Sequence, residues 1–538
     1  MAIKSTSVLI PVKWLNYLVI LILLAGITFR FINIDKKIYS SDETFTSLRI
    51  SGYTERELID KEFKGDIINV KDFQAKYQSL NNEKNIVDTV RGLSQEEAQL
   101  PPLYFTLARA WAQFFGTSIW AIRSLSVVLS ILAIVCAYWL GLELFESSVA
   151  GKISALLMSI SPFQVLFSQE ARPYSLWTLT ILLSGIALLR AMRLKNKFAW
   201  LIYSFTVILS LYSFLFSWFV VIGHGVYVIV IERFRLTKTV TAYLRATILG
   251  IIFFMPWILA IVLNVHRSYR GVAWLTTVSD ISLVQRWIIN LGRTFIDFGL
   301  NMSNSLVLFY SLLIALLVIY SAYFMCVNTP KKSWLFVLIT TTLMMILLGL
   351  PDIILGGQRS ATCRYTIPFY IGSQMCVTYL FAQQFSSTSV IFWSKKFWQF
   401  LLGILCCVGI ISCIYITQSD NWWNKDFDEL YVPSVIAQSE SQKVINVINS
   451  AANSNEDVLL ISDTDVGGIM SLSHRLSLKV YFSLVIQPNR PYNIPDKFTN
   501  IFLYAPSKSL MEWISTRKTY RIEPASKHGD SGFWKLSK

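Results

Sequence analysis

"WLNYLVILILLAGITFRFINIDKKIYSSDETFTSLR" (residues 14–49) joins two kinds of sequence end to end. Up to Phe31 it is an apolar run of the length a membrane-crossing helix needs, about 20 residues. A few positions later stands an adjacent acidic pair, Asp42 and Glu43, followed by helical patterning. Only Lys4 and Lys13 precede the run, no small-residue cleavage site follows it, and its polar end holds Arg30. It reads as a retained span and not as a cleaved leader. Acids at such a boundary are ordinarily solvated or cap a helix N-terminus, where the helix dipole favours them, and Ser40 and Ser41 suit a cap. The other option is chemistry.

The rest of the chain repeats the first half of that pattern. Of 538 residues, 54% are apolar and 15% charged, against roughly 25% charged in a soluble protein. Apolar runs near 14–34, 119–142, 148–168, 173–192, 198–216, 217–234, 243–264, 303–325, 333–351, 365–384 and 397–417 predict about eleven transmembrane helices. The net charge of +15 sits mostly in short connections such as "RAMRLKNK" (190–197), "TPKK" (329–332) and "SKK" (394–396). That is the positive-inside signature, which puts the N-terminus in the cytoplasm and residues from 418 onward outside, and makes nucleic acid a poor partner. The segment "PPLYFTLARAWAQFFG" (101–116) is short, opens with Pro-Pro and carries Arg109; an interfacial or re-entrant helix preserves the loop parity. The seven cysteines lie mostly in apolar runs without CxxC spacing, and the four histidines show no paired spacing, so no metal site is expected from them.

Two regions follow: residues 1–417 as a transmembrane domain, whose first outer loop (35–118) carries juxtamembrane helices, and 418–538 as a small extracytoplasmic α/β domain. In the latter, strands are predicted at 457–462, 479–485, 500–505 and 532–537, with helices at 439–451 and 507–515.

Candidate chemistry gathers on the outer side. "SPFQVLFSQEARPYSL" (161–176) brings Glu170 and Arg172 to a helix junction broken by Pro173. Arg267 and Arg270 lie in the second outer loop, Arg359 and Arg364 in the third, beside Gly356–Gly357. Each alone reads as an interfacial anchor. Four arginines on the disfavoured side suggest an anionic ligand, and guanidinium suits phosphate through bidentate charge-assisted bonds. Carboxylates together with phosphate-binding arginines at a bilayer surface fit group transfer from a lipid-linked phosphate donor. The carboxylate takes the acceptor's proton, and the arginines offset charge on the departing phosphate.

In order along the chain, "SSDETFTSL", "LPPLYFTLARAWAQFFG", "AIRSLSVVLSILAIVCAYWLGLELF", "SPFQVLFSQEARPYSL" and "CRYTIPFY" resemble the membrane glycosyltransferases of the GT-C superfamily. Within it the likeness is to the protein O-mannosyltransferase and aminoarabinose transferase branch, bacterial glycosyltransferase family 39 type, over roughly residues 10–385. The resemblance implies that Asp42 is the catalytic acid after the first span and that Glu170 is a second outer acid. It places Arg364 and Tyr365 near the donor phosphate. It also implies a polyprenyl-phosphate sugar donor, inversion at the anomeric carbon and an active site facing away from the cytoplasm. Glu43 is then assigned to loop support or acceptor binding. The aminoarabinose transferases carry a lysine just before the Pro-Pro, where this chain has Leu100.

The acceptor, whether glycan, lipid or protein, is open. So is a divalent cation shared by Asp42 and Glu170, since two acids suffice without one. Two other classes remain at this stage. A polysaccharide polymerase or O-antigen-ligase-like enzyme would place its arginines in one large late loop. A lipid or sugar transporter would line mid-membrane positions with charge, where His224 is the exception and reads as a core residue.

Overall fold

The computed structural model describes residues 13–265, 273–276, 282–386, 392–420, 422, 438–453, 456–486, 494, 497–516, 519–525 and 532–537. Contacts divide the chain into two compact units: Met1–Ile34, Ser126–Leu259 and Leu275–Gln418 form one, and Asp35–Leu125, Ala260–Trp274 and Ser419–Lys538 form the other.

The first is a helical membrane unit. Its helices are α1 (Lys13–Phe31), most of α7 (Ile119–Phe145), α8 (Ser148–Ser159), α9 (Pro162–Ser168), α10 (Tyr174–Leu194), α11 (Lys197–Ser213), α12 (Ser217–Ile231) and α13 (Lys238–Leu263). They continue with α14 (Leu283–Gly292), α15 (Ser305–Asn328), α16 (Lys331–Leu355), α17 (Ile367–Ser386) and α18 (Phe392–Gln418). Seven helices among the described residues are long and apolar enough to cross a membrane, and the bent pair α8–α9 makes an eighth. The bend is 60°. It falls where Pro162 takes the first turn of α9, a position at which its missing N–H costs nothing and its ring ends α8. The other three expected spans are helices as well. α11 and α12 have 17 and 15 residues, short of the roughly 20 needed to span. α17 is long enough and largely buried, but Ser, Gln and Thr dilute its apolar run.

Polar groups inside this unit are satisfied locally. Arg30, fully buried in the last turn of α1, donates to the carbonyls of Gly26 (2.8 Å), Met158 (3.1 Å) and Ser159 (2.6 Å) and to Ser130 Oγ (2.9 Å). It thereby caps the C-terminus of α8, whose last carbonyls have no partner within the helix. Gly26 permits the approach, because a Cβ there would lie 2.5 Å from the Ser159 carbonyl oxygen. His224 shares a 3.2 Å hydrogen bond with the Tyr203 hydroxyl and stacks on Phe336, a core histidine with a partner.

In the second unit the first loop segment gives α2 (Ser41–Ser51), α3 (Glu55–Glu62), β1 (Lys64–Asn69), α4 (Val70–Tyr77), α5 (Ile86–Glu96) and α6 (Leu103–Phe115). The C-terminal residues give α19 (Gln438–Asn453), β2 (Val458–Ser462), α20 (Val466–Ser473), β3 (Val480–Val485), β4 (Asn500–Tyr504), α21 (Lys508–Thr516), β5 (Arg521–Pro524) and β6 (Phe533–Ser537). The two segments build one sheet, in the order β1-β3-β2-β4-β6-β5. β2 runs parallel to both β3 and β4, while β1 and β6 pair antiparallel at either side.

Alternation along β2 sorts its residues onto two cores. Val458 and Leu460 pack with Leu48 of α2 and with Phe73 and Tyr77 of α4. Leu459 and Ile461 pack with Leu510 and Ile514 of α21. One hydrophobic core therefore spans the start and the end of the chain. The Pro-Pro segment is the 13-residue α6, too short to span; within this unit it packs against α2 and α5. Arg109 is buried there and donates to the carbonyls of Ile50 and Lys84.

Candidate active site

The acidic pair occupies the first turn of α2. Ser40 is the N-cap, and the cap is reciprocal: Glu43 N–H donates to Ser40 Oγ (3.4 Å), and Ser40 N–H donates to Glu43 Oε2 (3.0 Å). Glu43 is committed further. Arg123, in the first turns of α7, forms a two-pronged ion pair with it, Nε to Oε1 at 2.8 Å and Nη2 to Oε2 at 2.8 Å, with both side chains fully buried. The same guanidinium donates to the carbonyls of Lys37 (3.1 Å) and Ile38 (3.2 Å) and lies 5.2 Å from the Trp422 ring centre. Trp422 Nε1–H in turn donates to Ile38 O (2.8 Å).

Glu43 is thus the structural half of the pair, locking the approach to α2. Asp42 is only half-buried, at a helix N-terminus where an ionised carboxylate is favoured. Lys37, beneath it in sequence and also buried, has its pKa lowered to about 7, chiefly by burial and then by the neighbouring Arg123 charge.

Three groups of C-terminal residues support this segment. Ser471 of α20 donates to Tyr39 O, and Thr44 Oγ1 donates to Gly467 O (3.4 Å). His474 hydrogen-bonds Gln74 and Gln78 of the first segment and meets Tyr39 edge-on. Burial holds this imidazole neutral, with its pKa lowered to about 4.

The membrane unit carries the other candidates. Glu170 and Arg172 lie in the connection between α9 and α10, both buried. Gln169 fixes this turn to the end of α1 by donating to Phe29 O (3.0 Å) and Ile32 O (2.9 Å), and Arg172 N–H donates to Glu170 O (2.8 Å). Arg364 and Tyr365 occupy a short 3₁₀ turn, Cys363–Tyr365, with the guanidinium 5.6 Å from the Tyr365 ring. Tyr365 itself sits against Phe214 and Phe216.

A buried electrostatic cluster ties these elements together. Burial pushes the Cys363 thiol up to about 12, Arg364 and Arg293 act to lower it, and Glu170 acts to raise it. Arg293, at the C-terminus of α14, is buried beside Asp297, with Nε 3.9 Å from Oδ1. The sequence reading passed over it. Its signal is a polar stripe, Arg286, Asn290, Arg293 and Asp297, at helical spacing through "RWIINLGRTFID".

Arg359 has a local task. It pairs with Asp352 at 2.9 Å and donates to Gly356 O (3.0 Å), while Asp352 Oδ2 accepts from Ser360 N–H (2.6 Å) and Oγ–H (2.7 Å). The Gly-Gly pair serves the same loop. Gly357 has φ +124°, and a Cβ there would lie 2.6 Å from the Leu275 carbonyl oxygen. That carbonyl accepts from Gln358 N–H (2.9 Å), and Gln358 Oε1 accepts from Arg286 (2.9 Å). Arg267 and Arg270 fall outside the described residues. Asp42 belongs to one compact unit and Glu170 to the other. Among the described residues no three His, Cys, Asp or Glu side chains are grouped as a metal would require.

Fold and composition define a polytopic membrane protein with a small sheet domain formed largely by its C-terminal residues. The comparisons agree. Residues 99–260 match the family model described as dolichyl-phosphate-mannose-protein mannosyltransferase. The structure is similar to that of ArnT from Cupriavidus metallidurans bound to undecaprenyl phosphate, with TM-score 0.54, 9% identity, and 98% of each chain covered. It is similar to the apo state of the same protein at TM-score 0.53, 10% identity and 97% of each chain. No curated protein matches the chain by sequence.

Proposed function

We propose that this protein is an inverting glycosyltransferase that moves a sugar from a polyprenyl-phosphate donor to an acceptor on the extracytoplasmic side. The observation that carries the proposal is the placement of Asp42, partly exposed in the first turn of a helix whose N-terminus is held by the Glu43–Arg123 ion pair and the Ser40 cap. Such a carboxylate is placed to act as a base. The acceptor's hydroxyl or amine attacks the anomeric carbon, its proton passes to Asp42, and the bond to the phosphate oxygen breaks. The extra negative charge then resides on the departing polyprenyl phosphate. Within the membrane unit, Arg172, Arg364 and Arg293 are buried guanidinium groups of the kind that suits a phosphate. The overall likeness to ArnT, a protein seen with undecaprenyl phosphate, supports the donor class.

The test is transfer by purified full-length protein from a panel of polyprenyl-phosphate sugars, with Asp42→Asn, Glu43→Gln and Glu170→Gln alongside. Loss of a general base lowers the rate about 10²–10⁴-fold. Asp42→Asn as active as wild type refutes the mechanism. Silence of the wild type with every donor refutes the donor class and favours a transporter.

A further inference from the structure

A concave feature of the membrane unit lies at the far end of α10 from Glu170 and Arg172. α10 has 21 residues, about 30 Å of helix, and beside its last turns is a cavity of about 280 Å³. This is close to the lower end of small-ligand pockets, about 300 Å³, and far more than one water requires. The basic turn at 190–197 marks this end as cytoplasmic by the positive-inside rule.

Charges around the cavity divide into ion-paired and unpaired groups. Arg193 pairs with Glu143 at 2.8 Å and Lys332 with Glu146 at 2.9 Å. Lys195 and Glu232 also line the cavity, and among the described residues neither makes an ion pair. Tyr227 lines it too. This side chain is 2% exposed, and its hydroxyl makes no hydrogen bond among the described residues. Its hydroxyl reaches the cavity and is free to donate to a ligand oxygen there.

The three groups ask for complementary things: an anion for Lys195, a hydrogen-bonding cation for Glu232, and an acceptor for Tyr227. Phosphate and primary ammonium on one short linker provide all of them. The floor and surroundings point to a lipid as the source. Leu144 lines the cavity, and the outward face of α12 presents Ile222, Val226 and Ile229 as an exposed apolar stripe of the kind acyl chains cover, leading toward Glu232.

We propose that this cavity binds the head group of an aminophospholipid from the cytoplasmic leaflet, its phosphate on Lys195 and Tyr227 and its ammonium on Glu232. The site lies apart from the groups assigned to glycosyl transfer and does not depend on that assignment.

The experiment is native mass spectrometry of full-length protein from nanodiscs of phosphatidylcholine alone, or mixed with phosphatidylethanolamine or phosphatidylglycerol. Wild type is expected to retain phosphatidylethanolamine about tenfold over either competitor, equivalent to about 1.4 kcal/mol. Glu232→Gln brings phosphatidylethanolamine down to the phosphatidylglycerol level, because only the ammonium contact is lost. Lys195→Gln lowers both. These two positions are on the cavity rim, and Tyr227→Phe gives a third variant that keeps the packing on Phe336. Equal retention of the three lipids by wild type, or an unchanged preference in the variants, overturns the site. Competition by soluble phosphoethanolamine as effective as the lipid overturns the lipid source.

Discussion

Replacing Arg123 by methionine tests the anchor under Asp42 most directly. Arg123 and Glu43 are both fully buried and joined by two 2.8 Å contacts, so the substitution leaves a buried carboxylate without its guanidinium. Removing one partner of such a pair costs about 3–5 kcal/mol. At about 2–4 °C per kcal/mol for a unit of 150–250 residues, the loss in Tm is about 6–20 °C. The variant also loses the donors to Lys37 O and Ile38 O, so its helix entry loosens as well as its charge balance. Thermal unfolding followed by size exclusion in detergent measures the effect. The double variant Glu43→Gln with Arg123→Met removes the stranded charge and keeps an oxygen for the Ser40 N–H. It is expected to regain more than about 1 kcal/mol over the sum of the single changes. A drop of less than about 2 °C in the single variant, or strict additivity in the double, refutes the assignment of Glu43 as the buried anchor.

Three further outcomes follow from the geometry. Lys37 is depressed to about 7 in the folded state from its ordinary 10.5, so the unfolded chain binds more protons between those values. Stability therefore rises with pH across that window, by at most about 1.4 kcal/mol per pH unit, and Lys37→Met flattens the slope. Gly357→Ala places a methyl group against the Leu275 carbonyl at a positive φ. It is expected to cost about 1–3 kcal/mol and to speed proteolysis of the 352–360 loop; wild-type protection in the variant contradicts the close approach. Arg293→Gln is expected to lower kcat/KM for a polyprenyl-phosphate sugar by about tenfold or more, the loss of one charge-assisted contact to the donor phosphate. Unchanged kinetics remove Arg293 from the donor site.

Much of this architecture can be read from the sequence because it is local. Hydrophobic runs mark the helices, and the short amphipathic "PPLYFTLARAWAQFFG" declares itself by length and by Arg109. Short apolar runs in "DVLLIS" and "KVYFSLV" predict strands that the structure contains as β2 and β3. The features that escape are pairings between distant positions. "KGDIIN" (64–69) has a glycine, a charge at each end of its first half and partial exposure, so nothing local marks it as a strand; its partner β3 makes it one. Arg123 looks like a stray charge at the start of an apolar helix until Glu43 is found 80 positions away. Gly356–Gly357 invites a phosphate reading, yet the closest constraint on Gly357 is the backbone of Leu275. The acid pair itself is legible as a pair, whereas which member is structural depends on the position of Arg123.

The sheet shared by the two ends of the chain has a consequence for biogenesis. Gly65 of β1 accepts a hydrogen bond from Ser483 of β3, 418 positions later. At about 5–20 residues per second, roughly 20–80 s of synthesis separate the two strands. Throughout that interval β1 is an unpaired edge, and Leu48, Phe73 and Tyr77 lack the strands that bury them. The helix carrying Asp42 is therefore among the last parts of the molecule to become rigid. A chain cut short between α18 and β3 has its membrane helices made and its acid pair unsupported, and such a product is an obvious substrate for quality-control proteolysis.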